Sequence, residues 1–389
     1  MLHSRRLLAV KAVLSQATRV MGKRDTITHL TSTGEVISTS STLTDLATLK
    51  KYAHSLFLPT GFPNSVEPYY ARYAGLTFIQ VALNNVNRTL ATQAMLLSVG
   101  AGSAGLPIAA AINWVLKDGI GQLGSIVVSS LINRNFDSDP KRYRFQAVAL
   151  GQVSNLLSIL SLSYPPAFLA LTSISSTLSR IGTVAHLSSR VRIYDNMARE
   201  ENVGDIMRCS QAQSTAASIL GTAVGVVLAP VVLSSPSTIL AVFTPLAVAT
   251  QWLAYRSSCV VVSSTFNLQR AELIFDRVIL NGQFLTPAEV SEIETFVFPY
   301  STRIIVNPPM TSDLALKIGD LQTNKFATLG DVKVWISSEA TAEDAVRAVY
   351  SALHGDLDAW QHVRNRLTSL GWMFDVSFID DERARITIL

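Results

Sequence analysis

Three stretches of this chain carry no ionised side chain: 28 residues between Arg88 and Lys117, 35 between Arg144 and Arg180, and 47 between Arg208 and Arg256. A helix with one side in water repeats polar and charged residues with a period of about 3.6. A helix that crosses a bilayer needs roughly 20 apolar residues instead. The gaps suit the second case, and a large all-helical soluble core would leave its wet face without charge. Composition agrees, with 15% charged residues, 48% hydrophobic residues and a mean hydropathy of +0.31, where soluble domains hold about 25% charge.

The two longer gaps each have room for two helices and carry a turn signal near the middle, at Pro165 with Pro166 and at Pro236. They predict helical hairpins, 145–162 with 167–185 and 212–233 with 238–255. A further pair, 76–99 and 106–133, is joined by "GAGSAG". Small residues recur along all of these helices, as they do where membrane helices pack closely. The loops 134–144 and 188–208 hold Arg134, Lys141, Arg142, Arg144, Arg190, Arg192, Arg199 and Arg208, while the proline turns hold no basic residue. That asymmetry puts both loops on the matrix, stromal or cytosolic face.

The ends of the chain differ from its middle. Residues 1–24 hold six basic residues and no acid, so the net charge of +4 leaves −2 for the rest. This segment reads as an organellar transit peptide, amphipathic if helical, and the basic balance gives no support to a nucleic-acid surface. Residues 25–65 form a polar Ser/Thr-rich lead-in. The segment 256–296 is expected to hold an exposed helix, a turn, and a helix capped by Thr286 with Pro287 in its first turn. Beyond it "TRIIVN" and "DVKVWIS" read as strands and "TAEDAVRAVYSALH" and "DLDAWQHVRNRLTSLG" as amphipathic helices. "WMFDVSFI" and "RARITIL" are expected to pair as a hairpin about "DDER".

Chemistry-bearing clusters are scarce. Cys209 and Cys259 stand alone, the six histidines are scattered, and no nucleophile–base or metal-ligand spacing occurs. "GAGSAG" fits a dinucleotide fingerprint but lacks the preceding strand and the following acid. In "FDSDPKRYR", Asp137 and Asp139 suggest a metal site less well than a helix start with Asp139 as cap and Pro140 behind it. No cofactor and no enzymatic activity are expected.

The feature that stands out is "NWVLKDGIGQLG". Lys117 and Asp118 sit near the middle of an apolar span, where a lone charge costs roughly 2.5–3.5 kcal/mol on insertion scales. Arg88 is equally far from the intervening turn on the other side, so an antiparallel pair sets Arg88 and Asp118 at one depth. Gly119, Gly121 and Gly124 then suit a broken helix exposing backbone groups to a ligand. Three plainer readings compete: a helix cap at Gly119, a salt bridge with no ligand, and glycines that only permit close packing.

"FLPTGFPNSV", "NWVLKDGIGQLGSI", "FDSDPKRYR" and "NVGDIMRCSQAQSTAASILGTAVG" resemble, in order over about residues 55–280, the core of the root UV-B sensitive family. The resemblance implies a eukaryotic, membrane-associated protein, in plants often plastid-targeted, connected with vitamin B6 homeostasis and early seedling development and able to act with a paralogue. It brings no catalytic residues. Where the family's second block is similar to "AKDGSQET", this chain has Met207, Arg208, Cys209, Ser210 and Gln211, so any function needing both blocks is in doubt here.

The expected architecture is mainly α: a multi-spanning helical membrane bundle (66–280) followed by a small soluble α/β module (281–389), in a mitochondrial or plastid membrane. The expected function is a carrier or binding scaffold for a small anionic or zwitterionic solute such as a B6 vitamer. Its ligand-binding set is Lys117, Asp118, Gly119, Gly121, Gln122, Arg88, Asn113, Ser210 and Gln211. The alternative is a membrane-anchored assembly factor that recruits a partner through its C-terminal module. Lipid and a paralogue or second copy are the other expected partners.

Overall fold

The computed structural model describes the backbone of residues 14–20, 24–30 and 36–42, and residues 54–102, 107–132, 138–298, 300–309, 317–329, 333–354, 357–380 and 385–387. The chain divides into two units, Met1–Phe62 and Pro63–Leu389. In the first, strands β1 (Leu14–Val20), β2 (Arg24–Leu30) and β3 (Val36–Thr42) form an antiparallel meander, with Ala17 opposite Ile27 and Ile27 opposite Thr39. Residues 14–20, within the segment read as a transit peptide, are therefore extended. β-branched Thr, Val and Ile on both neighbours favour the pleated pairing.

The second unit opens with six long helices: α1 (Tyr70–Gly102), α2 (Pro107–Ile132), α3 (Pro140–Ser163), α4 (Phe168–Asp195), α5 (Val203–Val232) and α6 (Pro236–Val260). Each of the six overlaps one of the helices expected from the sequence. Among the described residues three of them, α3, α5 and α6, are long and apolar enough to cross a membrane. The turns form as expected, a single 3-10 turn at Pro165–Ala167 and a Ser235 cap whose side chain accepts the Thr238 N–H.

Pairing follows a different rule from sequence adjacency. Only α3 and α4 form the expected hairpin. α5 and α6 touch each other little, and each packs on α1, which also meets α3 and so becomes the central helix. α2 only grazes α1 and packs on α4. Small residues decide this: Ala217, Gly221, Gly225 and Ala229 recur every four positions on α5 and are all buried. A Cβ at Gly225 would lie 2.7 Å from Thr89 Cβ on α1, and one at Gly221 would strike the Ala82 carbonyl. Below this interface Val86, Leu90, Ala91 and Ala94 pack with Ile159, Val232, Ile239 and Phe243.

The basic loops are shorter than expected. α4 runs through Arg190 and Arg192, α5 already contains Arg208, and Arg134 lies outside the described residues. Lys141 and Arg144 are buried, at 1% and 0% exposure, so they cannot count as charges facing lipid headgroups.

The α/β module starts earlier than residue 281. β4 (Thr265–Asn267) and α7 (Leu268–Asn281) belong to its core, through Phe266, Ala271, Ile274 and Phe275, with α10 (Ala342–His354), α11 (Trp360–Ser369) and Trp372. α7 is thus half sunk in the module where an exposed helix was expected. Between them α8 (Pro287–Ile293) carries the expected cap, with Thr286 and Glu289 bonded reciprocally. α9 (Ile318–Asn324) lies in sequence between the first and second strands of a three-stranded sheet ordered β5 (Ile305–Val306), β7 (Lys333–Ile336), β6 (Phe326–Leu329). β8 (Met373–Phe378) pairs in parallel with β4, and Ile386 bridges to Ser337. The expected C-terminal hairpin is therefore absent among the described residues: each of its arms pairs with a strand already ordered by the core, which buries more apolar surface than a two-stranded ribbon does.

Candidate functional site

The bundle buries a set of polar residues. Ser154 and Ser158 of α3 meet Ser175 of α4 through hydroxyl contacts of 2.8–2.9 Å. Asn87 donates to Gln152 Oε1 at 3.0 Å, and Gln152 Nε2 donates to Asn84 Oδ1 at 2.7 Å. Beside this network α1, α3 and α4 enclose a chamber of about 200 Å³. Gln80, Asn84 and Arg88 line it from α1, Gly151 and Asn155 from α3, and His186 from α4. Arg88, Ser179, Thr183 and Leu187, all exposed, stand where it opens.

Behind that wall lies Arg144, completely buried. Its Nη1 donates to Ser257 Oγ at 2.6 Å, and its Nη2 to Thr77 Oγ1 at 3.0 Å and Gln80 Oε1 at 3.2 Å. The guanidinium rests over the Tyr73 ring, 5.0 Å from its centroid. A guanidinium has donors and no acceptor, so it fixes Gln80 with its oxygen inward.

The residues singled out in the sequence separate into three places. Lys117 and Asp118 pair with each other at 2.8 Å, and Lys117 Nζ lies 4.3 Å from the Trp114 ring centroid. Lys117 is buried, whereas the Asp118 side chain is 40% exposed. Among the described residues no ion pair joins Asp118 to Arg88, which sits at the chamber. The expected Arg88–Asp118 match fails because α2 lies against α4 and not against α1. α2 also stays helical through Gly119, Gly121 and Gly124. A Cβ at Gly124 would lie 2.7 Å from Thr177 Cγ2, and one at Gly121 would strike Ser176, so these two glycines bring α2 close to α4, while Gly119 faces open space. Asn113 is half-buried and Gln122 exposed on the same helix. Ser210 is buried on α5 and bonded to the Tyr194 hydroxyl, and the exposed Gln211 accepts from Arg190 at 3.4 Å.

Sequence reading missed Arg144, His186 and the amide network. A signal existed: Lys141 and Arg144 are three apart, on one helical face, ahead of an apolar run. Asp139 occupies the N-cap position before Pro140, yet its carboxylate serves Asn267 (2.7 Å) and Arg142 (2.7 Å) rather than the helix end.

Residues 44–282 match the family model described as the vitamin B6 photo-protection and homoeostasis domain. The chain belongs to the root UVB sensitive family. It is 29% identical over 265 residues to the protein root UVB sensitive 3 of Arabidopsis thaliana, covering 66% of this chain and 60% of that one. To root UVB sensitive 2, chloroplastic, of the same plant it is 30% identical over 243 residues, 62% and 56% of the two chains. To RUS family member 1 of Dictyostelium discoideum it is 29% identical over 248 residues, 62% and 47%. The chain thus spans about half to three fifths of the length of these relatives. No solved structure matches. Three of the blocks that carry the family resemblance supply contacts within the bundle of this member: one seats α2 on α4 through Gly121 and Gly124, one supplies the buried Lys141 and Arg144, and one supplies Ser210 and the small-residue face of α5.

Proposed function

We propose that this root UVB sensitive family member is an integral membrane protein, of a plastid or mitochondrion, whose bundle binds a small polar solute in the chamber between α1, α3 and α4. It acts by binding or carriage rather than by catalysis. One observation carries the reading: the bundle exposes many large apolar side chains and buries a set of polar ones. Val115 (70% exposed), Leu123, Val227 (76%) and Val231 face outward, while Asn87, Arg144, Ser161, Thr250 and Ser257 are fully buried. Water rewards the opposite partition, and lipid rewards this one. The family description supports a B6 vitamer as the solute, and the chloroplastic relative supports a plastid. The rival reading, an anchored scaffold that recruits a partner through the α/β module, draws on the exposed Leu280 and Phe298 of that module.

Gly151 gives a direct test. It lines the chamber, and a Cβ there meets no atom within 4 Å. Gly151→Leu is expected to fill the chamber without disturbing the fold. Purified in detergent, the wild type should gain about 2.7 kcal/mol of apparent stability at a hundredfold excess of a bound vitamer over its Kd, read as a raised Tm with pyridoxal or pyridoxal 5′-phosphate. Gly151→Leu should abolish that rise and Lys117→Ala should keep it. Loss in Lys117→Ala with retention in Gly151→Leu would move the site to α2. No vitamer response in either background would leave the scaffold reading.

A further inference from the structure

We infer that the chamber is built for an anion, a phosphate-class oxyanion held by Arg88 and by the amide donors of Gln80, which Arg144 orients, and of Asn84, which Gln152 orients. This rests on the chamber reading above and adds the ligand's charge. Elsewhere among the described residues each buried cation has a carboxylate beside it. Lys141 and Arg270 share Glu294, Lys117 has Asp118, and Arg385 has Asp380 at 2.7 Å. Arg144 is the exception among the described residues. Its partners are hydroxyls, a carbonyl, an amide oxygen and a tyrosine ring, and its Nε has none. A buried charge without a counter-charge is costly, so its retention next to a cavity points to a counter-charge that arrives with a ligand.

The surroundings contain nothing else to supply it. α1, α3 and α6 have no acidic residue along their whole length, and α4 has only Asp195 at its last position, already paired with Arg192 at 2.9 Å. Arg88, on the chamber wall, has no ion-pair partner among the described residues. The amides are ordered the same way. Gln80 turns its oxygen to Arg144, which leaves its NH2 as the group available to a ligand. The relay from Asn87 through Gln152 ends on Asn84 Oδ1, so Asn84 also keeps its NH2. Two amide donors and a guanidinium on one wall, with no carboxylate, recognise oxyanions. The phosphate can belong to a free small molecule or to a lipid headgroup reaching through the side opening.

Titration of the full chain in phosphatidylcholine nanodiscs separates the cases. Pyridoxal 5′-phosphate should bind at least tenfold more tightly than pyridoxal, and inorganic phosphate should compete with it. Arg88→Gln should weaken the phosphorylated ligand by about tenfold or more, the scale of a hydrogen bond to a charged group, and weaken pyridoxal far less. Asn84→Asp, which adds negative charge with almost no change of shape, should do the same. If added phosphatidylglycerol abolishes phosphate binding, the anion is a lipid headgroup; if not, it is a free solute; either result keeps the anion site. Equal binding of pyridoxal and its phosphate, indifferent to both variants yet lost in Gly151→Leu, would overturn the anion inference and leave the chamber standing. A folded protein that binds neither vitamers nor phosphate would remove the chamber reading as well.

Discussion

Replacing Glu294 by Gln should cost the folded protein about 3–5 kcal/mol, the usual result of removing one partner from a buried ion cluster. Glu294 Oε2 accepts from Lys141 Nζ at 2.9 Å and Oε1 from Arg270 Nε at 2.8 Å, and all three side chains are buried. Lys141 also donates to Ser291, and Arg270 to the Thr265 carbonyl. The cluster ties the first turn of α3 to α7 and to the end of α8, so it joins bundle and α/β module. Gln would leave two cations buried against a neutral amide. Burial alone would raise the Glu294 pKa, but Arg270 and then Lys141 outweigh it and hold it down to about 2 from 4.5. A depressed folded pKa means that the unfolded chain binds more protons between the two values. The wild type should therefore keep the whole contribution above pH 4.5 and lose it as pH falls towards 2, while Glu294→Gln lacks that slope. Replacing Lys141, Arg270 and Glu294 together by apolar residues of similar volume should be far milder than the single change. Equal Tm values for wild type and Glu294→Gln across this range would show that the cluster does not hold the two parts together.

Gly221→Leu is expected to be nearly as damaging. A Cβ at this position strikes the backbone carbonyl of Ala82 and lies 2.9 Å from Asn85 Cβ. Backbone cannot swing aside as a side-chain tip can, so α5 must back away from α1 and lose the contacts of Ala217, Gly225 and Ala229 with it. Overpacking of this kind typically costs about 1–3 kcal/mol, and a helix-wide separation belongs at the upper end. Gly119→Ala is the matched control. Its Cβ would meet nothing within 4 Å, and Ala in place of Gly in a helix interior gains up to about 1 kcal/mol. Unfolding of both variants in mixed micelles gives the comparison, and a Gly221→Leu protein as stable as Gly119→Ala would refute the close α1–α5 contact.

The reach of sequence reasoning can be followed along particular residues. All six long helices were legible, because the scarcity of charge from Leu76 to Tyr255, and its complete absence over 35 and 47 residues within it, is a property of composition. The Thr286 cap and most strands of the module were legible too, since capping and alternation are local. The pairing of helices was not. Ala217, Gly221, Gly225 and Ala229 mark a face of α5 without saying that α1 meets it. Lys117 and Asp118 drew attention as charges in an apolar run, yet they meet each other on α2. Arg144 looked like a loop charge because its burial is created by Thr77, Gln80 and Ser257, up to 113 residues away in the chain.

By itself, then, the sequence determined that the middle of the chain is long apolar helices, that the family is root UVB sensitive, and that an α/β module follows. Tertiary structure alone decided that α1 is central, that α2 leaves it for α4, and that uncompensated positive charge gathers beside the chamber. The reason is one of range. Hydropathy and capping act between neighbours along the chain, whereas close packing and the balance of buried charge depend on groups that only folding brings together.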